Sequence, residues 1–233
     1  QIFSKTNSFS KERVKPSGSI ILVIQVFWRI CSAIILALDE CYGDIFRMNK
    51  PKPAGGLEAA ASLGKTLDNL VVFNSLSKRS NISGMRAGFI AGDEKIIESY
   101  NLLVSNGASP VPIPIQKVAA ALYEDEEHHI NACLHYDKNF QIVEKYLKPF
   151  SDKFKIPAGG FFLWLKVEDD EQAAKILWNK FSLRVMPGSF MGKNINDFNP
   201  GSGFLRISLV DSNEIIEETM KRLSLFLKNY NSL

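Results

Sequence analysis

The sequence predicts an α/β protein in which a mostly parallel sheet is followed by a second, smaller α/β domain. In the first part of the chain, short continuous apolar runs alternate with helices and loops, as in strands that are buried on both faces of a parallel sheet. In the second part, long helical patterns separate shorter strands with one alternating face. Prolines at 110, 112 and 114 interrupt the chain between the two patterns, so we expect domains at residues 1–109 and 110–233.

The first domain contains three expected strands and two expected helices. A Pro/Gly-rich loop follows the first strand, and Asp93 is a residue type that caps a helix N-terminus. Buried strands that alternate with helices in this way indicate a mostly parallel sheet. The strands are expected at Ala33–Leu38, Leu70–Asn74 and Ala87–Ala91, and the helices at Leu57–Leu63 and Glu94–Asn106.

The second domain begins with a long helical region whose charged face indicates contact with solvent. Gly159 and Gly160 then precede an aromatic strand. Helices are expected at Ile115–Tyr123, Glu126–Pro149, Glu171–Phe181 and Asn213–Asn229, and strands at Phe161–Val167, Leu183–Met186 and Phe204–Val210. Strands separated by helices again indicate an α/β arrangement.

The composition excludes several classes of protein. Of 233 residues, 45% are hydrophobic, which is too many for an intrinsically disordered chain. The net charge is +3 with both signs interspersed, and no basic stripe is visible, so we expect no nucleic-acid partner. The three cysteines are odd in number and widely spaced. They argue against a disulfide framework and favour a reducing compartment, most simply the cytoplasm.

One apolar run, Ile20–Leu38, needs a separate explanation. Its length would be sufficient to cross a bilayer, but it starts too far into the chain for an ordinary signal peptide. Arg29 lies at its middle, and its end leads directly into Asp39. We therefore favour a helix followed by a buried strand, and we expect no membrane partner.

Two polar residues that could bind a ligand or take part in catalysis follow the first strand. Asp39 comes at the end of that strand, and Tyr42 follows three residues later. The carboxyl ends of parallel strands are where open α/β sheets place their ligand-binding groups. The ordinary alternative is an acid that caps the next turn.

A second motif lies between the next two strands. Lys78 sits in a loop rich in Ser and Gly, with Ser75 three residues before it and Arg86 eight residues after it. Serine hydroxyls and a planar guanidinium are suited to binding phosphate oxygens. The alternative is a basic surface loop.

Arg206 is the third candidate, because it stands inside an apolar strand. A buried arginine is costly unless it meets an anion, so Arg206 could bind a carboxylate. An arginine on a solvated edge strand is the alternative. An acid, a phenol, a lysine with a phosphate-type loop and a distal arginine together fit one cofactor, pyridoxal 5′-phosphate.

Four segments extend this to a family resemblance. They are DECYGDIF from Asp39, NSLSKRSNISGMRAGFIAGD from Asn74, PAGGFFLW from Pro157 and FLRISLV from Phe204. Together they resemble the class I and II aminotransferases of fold type I, and within that family the sequence is most similar to bacterial N-succinyldiaminopimelate aminotransferases. The resemblance covers about residue 39 to the C-terminus. It implies a homodimer that transfers an amino group between N-succinyl-LL-2,6-diaminopimelate and 2-oxoglutarate in lysine biosynthesis. Another substrate within the family is the near alternative.

The resemblance also assigns roles at the reacting centre. It implies that Lys78 forms the Schiff base with pyridoxal 5′-phosphate and later acts as general base and acid. Asp39 matches the acid that pairs with the pyridine nitrogen, and Tyr42 matches the phenol that bonds the cofactor's 3′ oxygen.

Three further residues match the groups that bind anions. Ser75 and Arg86 match two ligands of the cofactor phosphate. Arg206 matches the arginine that binds the substrate α-carboxylate and so orients the α C–H bond.

The N-terminal part departs from the family. Family members are longer there, and that part supplies a Gly-rich phosphate-binding turn and an aromatic residue that stacks on the ring. Between Gly18 and Asp39 the sequence no longer resembles that of the family. We therefore expect a partial large domain with aberrant residues 1–38, from an altered reading frame or a truncated gene. A catalytically inactive remnant of the fold is the other alternative.

Other conspicuous residues have ordinary explanations. His129 and Cys133 are four apart on one helix face, but two ligands do not complete a zinc site, so we expect a solvated helix start and no metal. The aromatic stripe at 161–164 is expected in the core. Cys41 is expected to fill space and not to act as a nucleophile.

Overall fold

Two three-stranded sheets form the framework of the computed structural model, which describes residues 34–196 and 198–230. The first sheet has the order β1-β2-β3, with β1 at Leu36–Asp39, β2 at Leu70–Ser75 and β3 at Gly88–Gly92. Strands β1 and β2 are parallel, whereas β2 and β3 are antiparallel. The three strands therefore form where the sequence predicts them, and one of the two pairings is antiparallel.

Helix α1 (Gly56–Ser62) covers one face of the first sheet. Its Ala60 packs against Leu70 and Val72 of β2 in a small apolar cluster. Strand β1 alternates between half-buried and exposed residues, and β3 has no buried residue. The prediction of strands buried on both faces is therefore wrong for β1 and β3, because these outer strands have fewer neighbours among the described residues.

The single turn α2 (Leu76–Arg79) lies between β2 and β3 of the first sheet, and the helices α3 (Glu94–Gly107), α4 (Ile113–Glu124) and α5 (Glu127–Leu147) connect the two sheets. Asp93 accepts hydrogen bonds from the backbone amides of Lys95 and Ile96 at 2.8 and 3.3 Å, which confirms the predicted cap of α3. Helix α4 begins two residues earlier than expected. Pro114 lies in its first turn, where a missing N–H breaks no helical hydrogen bond.

The second sheet has the order β4-β6-β5 and is antiparallel throughout. Its strands are β4 (Phe162–Lys166), β5 (Met186–Pro187) and β6 (Phe204–Ser208), and the helices α6 (Asp170–Phe181) and α7 (Asn213–Asn229) complete the chain. The expected strand at 183–186 is wrong for its first residues. Leu183 still donates its amide to the Leu177 carbonyl at 3.0 Å, so it closes α6.

A second apolar core lies on one face of this sheet. Helices α5, α6 and α7 pack there against Leu163, Leu165 and Leu205, which are fully buried. The alternation predicted for β4 and β6 is thereby confirmed. The division of the chain at residue 110 stays a prediction, and the contacts described below connect the two sheets through α5.

The apolar run that begins at Ile20 lies largely outside the described residues, which start at Ile34. Ile34 and Ile35 are more than half exposed. Within the described ranges, no helix combines the length and the apolar character that crossing a membrane requires.

A buried ion pair joins the segment after Tyr42 to helix α5. The Nε atom of Arg47 bonds to the Asp137 carboxylate, and the amide of Met48 donates to the same carboxylate at 3.0 Å. The Arg47 guanidinium also lies 5.1 Å from the centre of the Phe140 ring. Because both charged side chains are about nine-tenths buried, each depends on the other for its neutralisation.

We expect Asp137→Asn to lower the free energy of unfolding by about 3 kcal/mol, because it leaves the Arg47 charge buried without a partner. The matched control is Glu218→Gln, which breaks the exposed Arg222–Glu218 pair on α7. This control should cost under about 1 kcal/mol. Urea denaturation of both variants measures the difference, and equal losses would contradict the account.

Candidate active site

The parallel pairing of β1 and β2 brings the first two candidate motifs to one edge of the sheet. Asp39, the last residue of β1, lies opposite Phe73 of β2. Two residues after Phe73, the strand ends at Ser75, and the single turn of α2 carries Lys78. Both polar motifs therefore follow strands that end at the same carboxyl edge, which is the expected location of a binding site in an open α/β sheet.

The amine of Lys78 lies among aromatic rings. Its Nζ atom is 5.8 Å from the centre of the Tyr42 ring and 5.7 Å from that of Phe161. None of the residues that the structure describes forms a hydrogen bond or ion pair with this amine. Attraction between the ammonium group and the rings holds the side chain near the sheet edge and leaves the nitrogen available for chemistry.

Asp39 is an exposed carboxylate with a depressed pKa. Hydrogen bonds from Cys41, first from its thiol and then from its backbone amide at 3.0 Å, lower the pKa of Asp39. Burial and the neighbouring carboxylate raise the pKa of Cys41 to about 11. At neutral pH the pair is therefore a carboxylate beside a neutral thiol, which agrees with the expectation that Cys41 is not a nucleophile.

The backbone segments that carry Ser75 and Arg86 run side by side although eleven positions separate the two residues. Gly88 pairs with Ser75 across β2 and β3, and the Leu76 amide donates to the Ala87 carbonyl at 3.2 Å. A Cβ atom on Gly88 would lie 2.3 Å from the Asn74 carbonyl oxygen, so this approach requires glycine. The Ser75 hydroxyl caps α2 by accepting from the Ser77 amide at 3.2 Å.

Arg86 itself is exposed and adopts a left-handed backbone conformation, with φ of 51°. One guanidinium nitrogen donates to the Ser83 carbonyl at 3.0 Å, and the rest of the fork faces no described carboxylate within ion-pair distance. Its place two residues before Gly88, the partner of Ser75 in the sheet, is compatible with the predicted phosphate-binding role, which stays a prediction.

Arg206 approaches this site from the second sheet. Its guanidinium carbon lies 4.4 Å from the centre of the Phe162 ring, and the Phe162 ring is 6.5 Å from the Tyr42 ring. The aromatic residues thus form a continuous link between Lys78 and Arg206. Arg206 is half-buried and lacks an acidic partner among the described residues, so its charge is available to an external anion.

An apolar cavity of about 380 Å³ lies on the same face of the second sheet. Its lining includes Trp164, which is directly opposite Arg206, and Phe204. Phe204 and Phe162 lie on opposite sides of Arg206 along the strands, because Phe162 is opposite Ser208. The cavity is therefore beyond Arg206 as seen from Lys78, and it does not occupy the space between the two.

Several residues around the lysine were not identified from the sequence. Arg79 is only 4% exposed, so it does not belong to a solvated basic loop. Tyr123 donates its hydroxyl to the Asn74 side chain at 2.9 Å, and Tyr136 donates to Asn81 at 3.0 Å. In the sequence, each of these two tyrosines stands at an ordinary position of a helix. Nothing local points to their asparagine partners, which are about 50 residues away.

The expectation of a solvated start for α5 is wrong at His129, which is 2% exposed. Its Nε2–H donates to the Asp44 carbonyl, and the same nitrogen lies 3.6 Å from the Cys133 sulfur. The Asp44 carbonyl belongs to the loop that carries Tyr42, so burial of His129 follows from docking of α5 against that loop. Among the described residues, no group of three or more His, Cys, Asp and Glu side chains could hold a metal ion.

The site thus combines a lysine without a described polar partner, an acid with a lowered pKa at the same sheet edge, and an arginine across an aromatic group, which together suit a ligand with several charged groups. The family model for aminotransferase class I and II matches residues 27–223, so the chain belongs to that family. This match begins within the apolar run. The similarity to the family therefore starts earlier than Asp39, the position at which the first of the four similar sequence segments begins.

Known relatives agree with this assignment. The chain is 27% identical to a 4-dedimethylamino-4-oxo-anhydrotetracycline transaminase of Streptomyces rimosus, over 90% of this chain and 57% of the relative. It is 29% identical to an LL-diaminopimelate aminotransferase of Natranaerobius thermophilus, over 82% of this chain and 47% of the relative. The chain thus spans about half the length of the curated relatives it matches.

Solved structures give the same result. An aminotransferase from Neisseria meningitidis superposes with a TM-score of 0.77 at 36% identity, covering 88% of this chain and 52% of that one. An aminotransferase from Helicobacter pylori gives a TM-score of 0.78 at 29% identity, covering 90% and 53%. The α/β fold predicted from the sequence, as part of a larger transferase domain followed by a smaller one, is confirmed.

Pyridoxal 5′-phosphate is the cofactor that the family implies, and the described residues fit it. The Lys78 amine has no described partner, as a lysine that bonds an aldehyde requires. The lowered pKa of Asp39 keeps a carboxylate available for a protonated ring nitrogen. Ser75 and Arg86 together supply a hydroxyl and a guanidinium, which suit a phosphate.

His129 leads to a pH-dependent prediction. Hydrogen bonding with Cys133, and then with the Asp44 carbonyl, raises the pKa of His129 from 6.5 to about 9 despite burial. Because the folded pKa is raised, the stabilisation is complete below about pH 6.5 and is lost as the pH rises through about 9. We expect this loss to reach about 3 kcal/mol of unfolding free energy.

Urea denaturation at pH 6 and pH 9.5 measures the effect, and His129→Gln should remove it. His135→Gln is the control, because His135 also bonds a backbone carbonyl, that of Asp211 at 2.9 Å. An identical pH dependence in the wild type and His129→Gln would show that His129 does not carry the effect.

Proposed function

We propose that the protein is a pyridoxal 5′-phosphate-dependent aminotransferase in which Lys78 is the catalytic lysine. The observation that carries this proposal is the position of the Lys78 amine. It is unpaired among the described residues, flanked by Tyr42 and Phe161, and placed at the edge where Asp39 ends β1. Membership of the aminotransferase family supports the same reaction.

Each residue then has a defined task. Lys78 would hold the cofactor through Nζ, and its amine would take the proton from the substrate α-carbon and return it during the transfer. Asp39 would keep the ring nitrogen protonated, and the Tyr42 hydroxyl would hold the 3′ oxygen. The bound cofactor would supply an electron-accepting ring, and Ser75 and Arg86 would hold its phosphate.

Arg206 binds the α-carboxylate of the amino acid. The face of Phe162 supports the guanidinium from one side at 4.4 Å, which limits the orientations that its fork can adopt. A bidentate grip fixes the carboxylate, and it thereby orients the α C–H bond toward Lys78. The same grip serves the 2-oxo acid that receives the amino group in the second half of the reaction.

We propose N-succinyl-LL-2,6-diaminopimelate with 2-oxoglutarate and glutamate as the substrate pair, in lysine biosynthesis. Several relatives with 24–29% identity are LL-diaminopimelate aminotransferases, which supports a diaminopimelate-type substrate. Other relatives are an aspartate aminotransferase and a (5-formylfuran-3-yl)methyl phosphate transaminase. The second candidate function is therefore transamination of another amino-acid substrate by an enzyme of the same family.

A homodimer in the cytoplasm is part of the proposal. Helices α3 and α4 have no buried residue, and Leu102, Leu103 and Ile113 are each 67% exposed. Such an apolar surface favours burial against another part of an assembly. Cys41 and Cys133 are free, which is compatible with a reducing compartment.

The cofactor assignment is tested by absorbance. Adding pyridoxal 5′-phosphate to the purified protein should produce the imine band, and Lys78→Ala should abolish it. Lys52→Ala is the matched control, because Lys52 also lies over an aromatic ring, 6.0 Å from the centre of Phe46. A band that persists in Lys78→Ala, or is absent from the wild type, would refute the assignment.

Arg206→Lys tests the carboxylate grip. Replacing a fork that forms two hydrogen bonds with a point charge should weaken binding of amino and 2-oxo acids by about tenfold to a hundredfold. Isothermal calorimetry on the cofactor-loaded protein measures this loss. Arg184→Lys, in a different groove beside Trp178, should leave binding unchanged. Unchanged affinity in Arg206→Lys would place the carboxylate elsewhere.

A further inference from the structure

The helix that carries Lys78 is too short to determine its own position. Helix α2 consists of Leu76–Arg79, a single turn. Forming one isolated turn is unfavourable, because several backbone dihedrals are fixed for one hydrogen bond. Contacts with other parts of the protein must therefore fix the place from which Lys78 extends.

Arg79, the residue next to Lys78, makes the densest set of such contacts. One terminal nitrogen donates to the Leu122 carbonyl at 2.7 Å and to the Asp125 carbonyl at 3.4 Å, and the other donates to Glu126 at 2.7 Å. The two carbonyls lie at the C-terminal end of α4, where helical carbonyls lack partners within the helix. A buried guanidinium thus caps α4 and joins it to the start of α5.

The same guanidinium also reaches the loop that carries Tyr42. Its Nε atom lies 3.6 Å from an Asp44 carboxylate oxygen, two residues beyond Tyr42. His129 of α5 donates to the Asp44 backbone carbonyl, and Lys52 lies 3.8 Å from the Asp44 carboxylate. Arg79 is therefore the point at which the Lys78 helix, the Tyr42 loop and the α4–α5 junction meet.

Neighbouring side chains also contact these elements, but the residues that make these contacts from the Lys78 segment are uncharged. Ser80 lies 2.8 Å from His128, Asn81 accepts from Tyr136, and Asn74 accepts from Tyr123. Each pins the segment around Lys78 to α4 or α5, and Asn74 also donates to the Glu40 carbonyl, in the loop before Tyr42, at 3.5 Å. Arg79 alone among these residues makes charged contacts with both the α4–α5 junction and Asp44, beyond Tyr42.

We propose that Arg79 is a positioning residue, which fixes the Lys78 amine relative to Tyr42 by bonding both the α4–α5 junction and Asp44. The consequence for the cofactor rests on the proposed function, whereas the positioning itself is a property of the protein alone. Lysine at position 79 would keep the charge but lose the planar fork that serves several acceptors at once.

Two measurements on Arg79→Lys test this proposal. Hydrogen exchange followed by mass spectrometry should show at least tenfold faster exchange in residues 74–81. Borohydride reduction in the presence of pyridoxal 5′-phosphate should trap at least tenfold less cofactor on Lys78. Arg222→Lys is the matched control, because Arg222 likewise bonds a glutamate, Glu218, at 2.9 Å and a carbonyl, that of Phe181, at 3.4 Å. It should leave both readings unchanged.

The outcomes separate this proposal from the cofactor assignment. A folded Arg79→Lys whose residues 74–81 exchange within twofold of the wild type would overturn the positioning role. If the wild type traps no cofactor on Lys78, the proposed function fails, and the exchange result still decides the role of Arg79.

If circular dichroism shows that Arg79→Lys unfolds, Glu126→Ala replaces it, since that exposed side chain tolerates truncation. Glu126→Ala should then raise exchange in 74–81 at least threefold, and an unchanged rate would refute the proposal.

Discussion

A buried guanidinium must have hydrogen-bond acceptors on all sides, and meeting this requirement for Arg79 organises the centre of the protein. The C-terminal carbonyls of α4 and the carboxylate of Glu126 come from the α4–α5 junction, and the carboxylate of Asp44 comes from the Tyr42 loop. They can surround one side chain only if those segments pack together. The end of α4, the start of α5 and the Tyr42 loop are therefore fixed relative to the turn that carries Lys78.

Two kinds of polar residue result from this arrangement. Those that support the site, such as Arg47, Arg79 and His129, are buried and bonded to protein groups. The residues proposed to react or bind, Lys78 and Arg206, lack acidic partners in the described chain. The residues that are bonded to other protein groups make the site rigid, and the residues without acidic partners are available to bind or react with a ligand. A site held at a fixed geometry needs both, because small displacements of a reacting group are costly to catalysis.

The sequence was informative where the determinants are local. Asp39, Tyr42 and Lys78 belong to short motifs next to apolar strands, so their placement at a sheet edge followed from the pattern. The role of Arg79 could not be predicted, because its acceptors lie 43 and 47 positions away and a loop rich in Lys, Arg and Ser normally indicates solvent. For the same reason, His129 was assigned to a solvated helix start. Only the docking of α5 on the Tyr42 loop reveals its burial.

The central claim is that packing at the α4–α5 junction presents the Lys78 amine to a cofactor between Tyr42 and Asp39. A crystal structure of the chain with pyridoxal 5′-phosphate tests this claim most directly. The account predicts continuous electron density from Lys78 Nζ to the cofactor, with the Asp39 carboxylate against the ring nitrogen and the bonds of Arg79 in place. Cofactor density on another lysine, or a Lys78 amine turned away from the sheet edge, would contradict it.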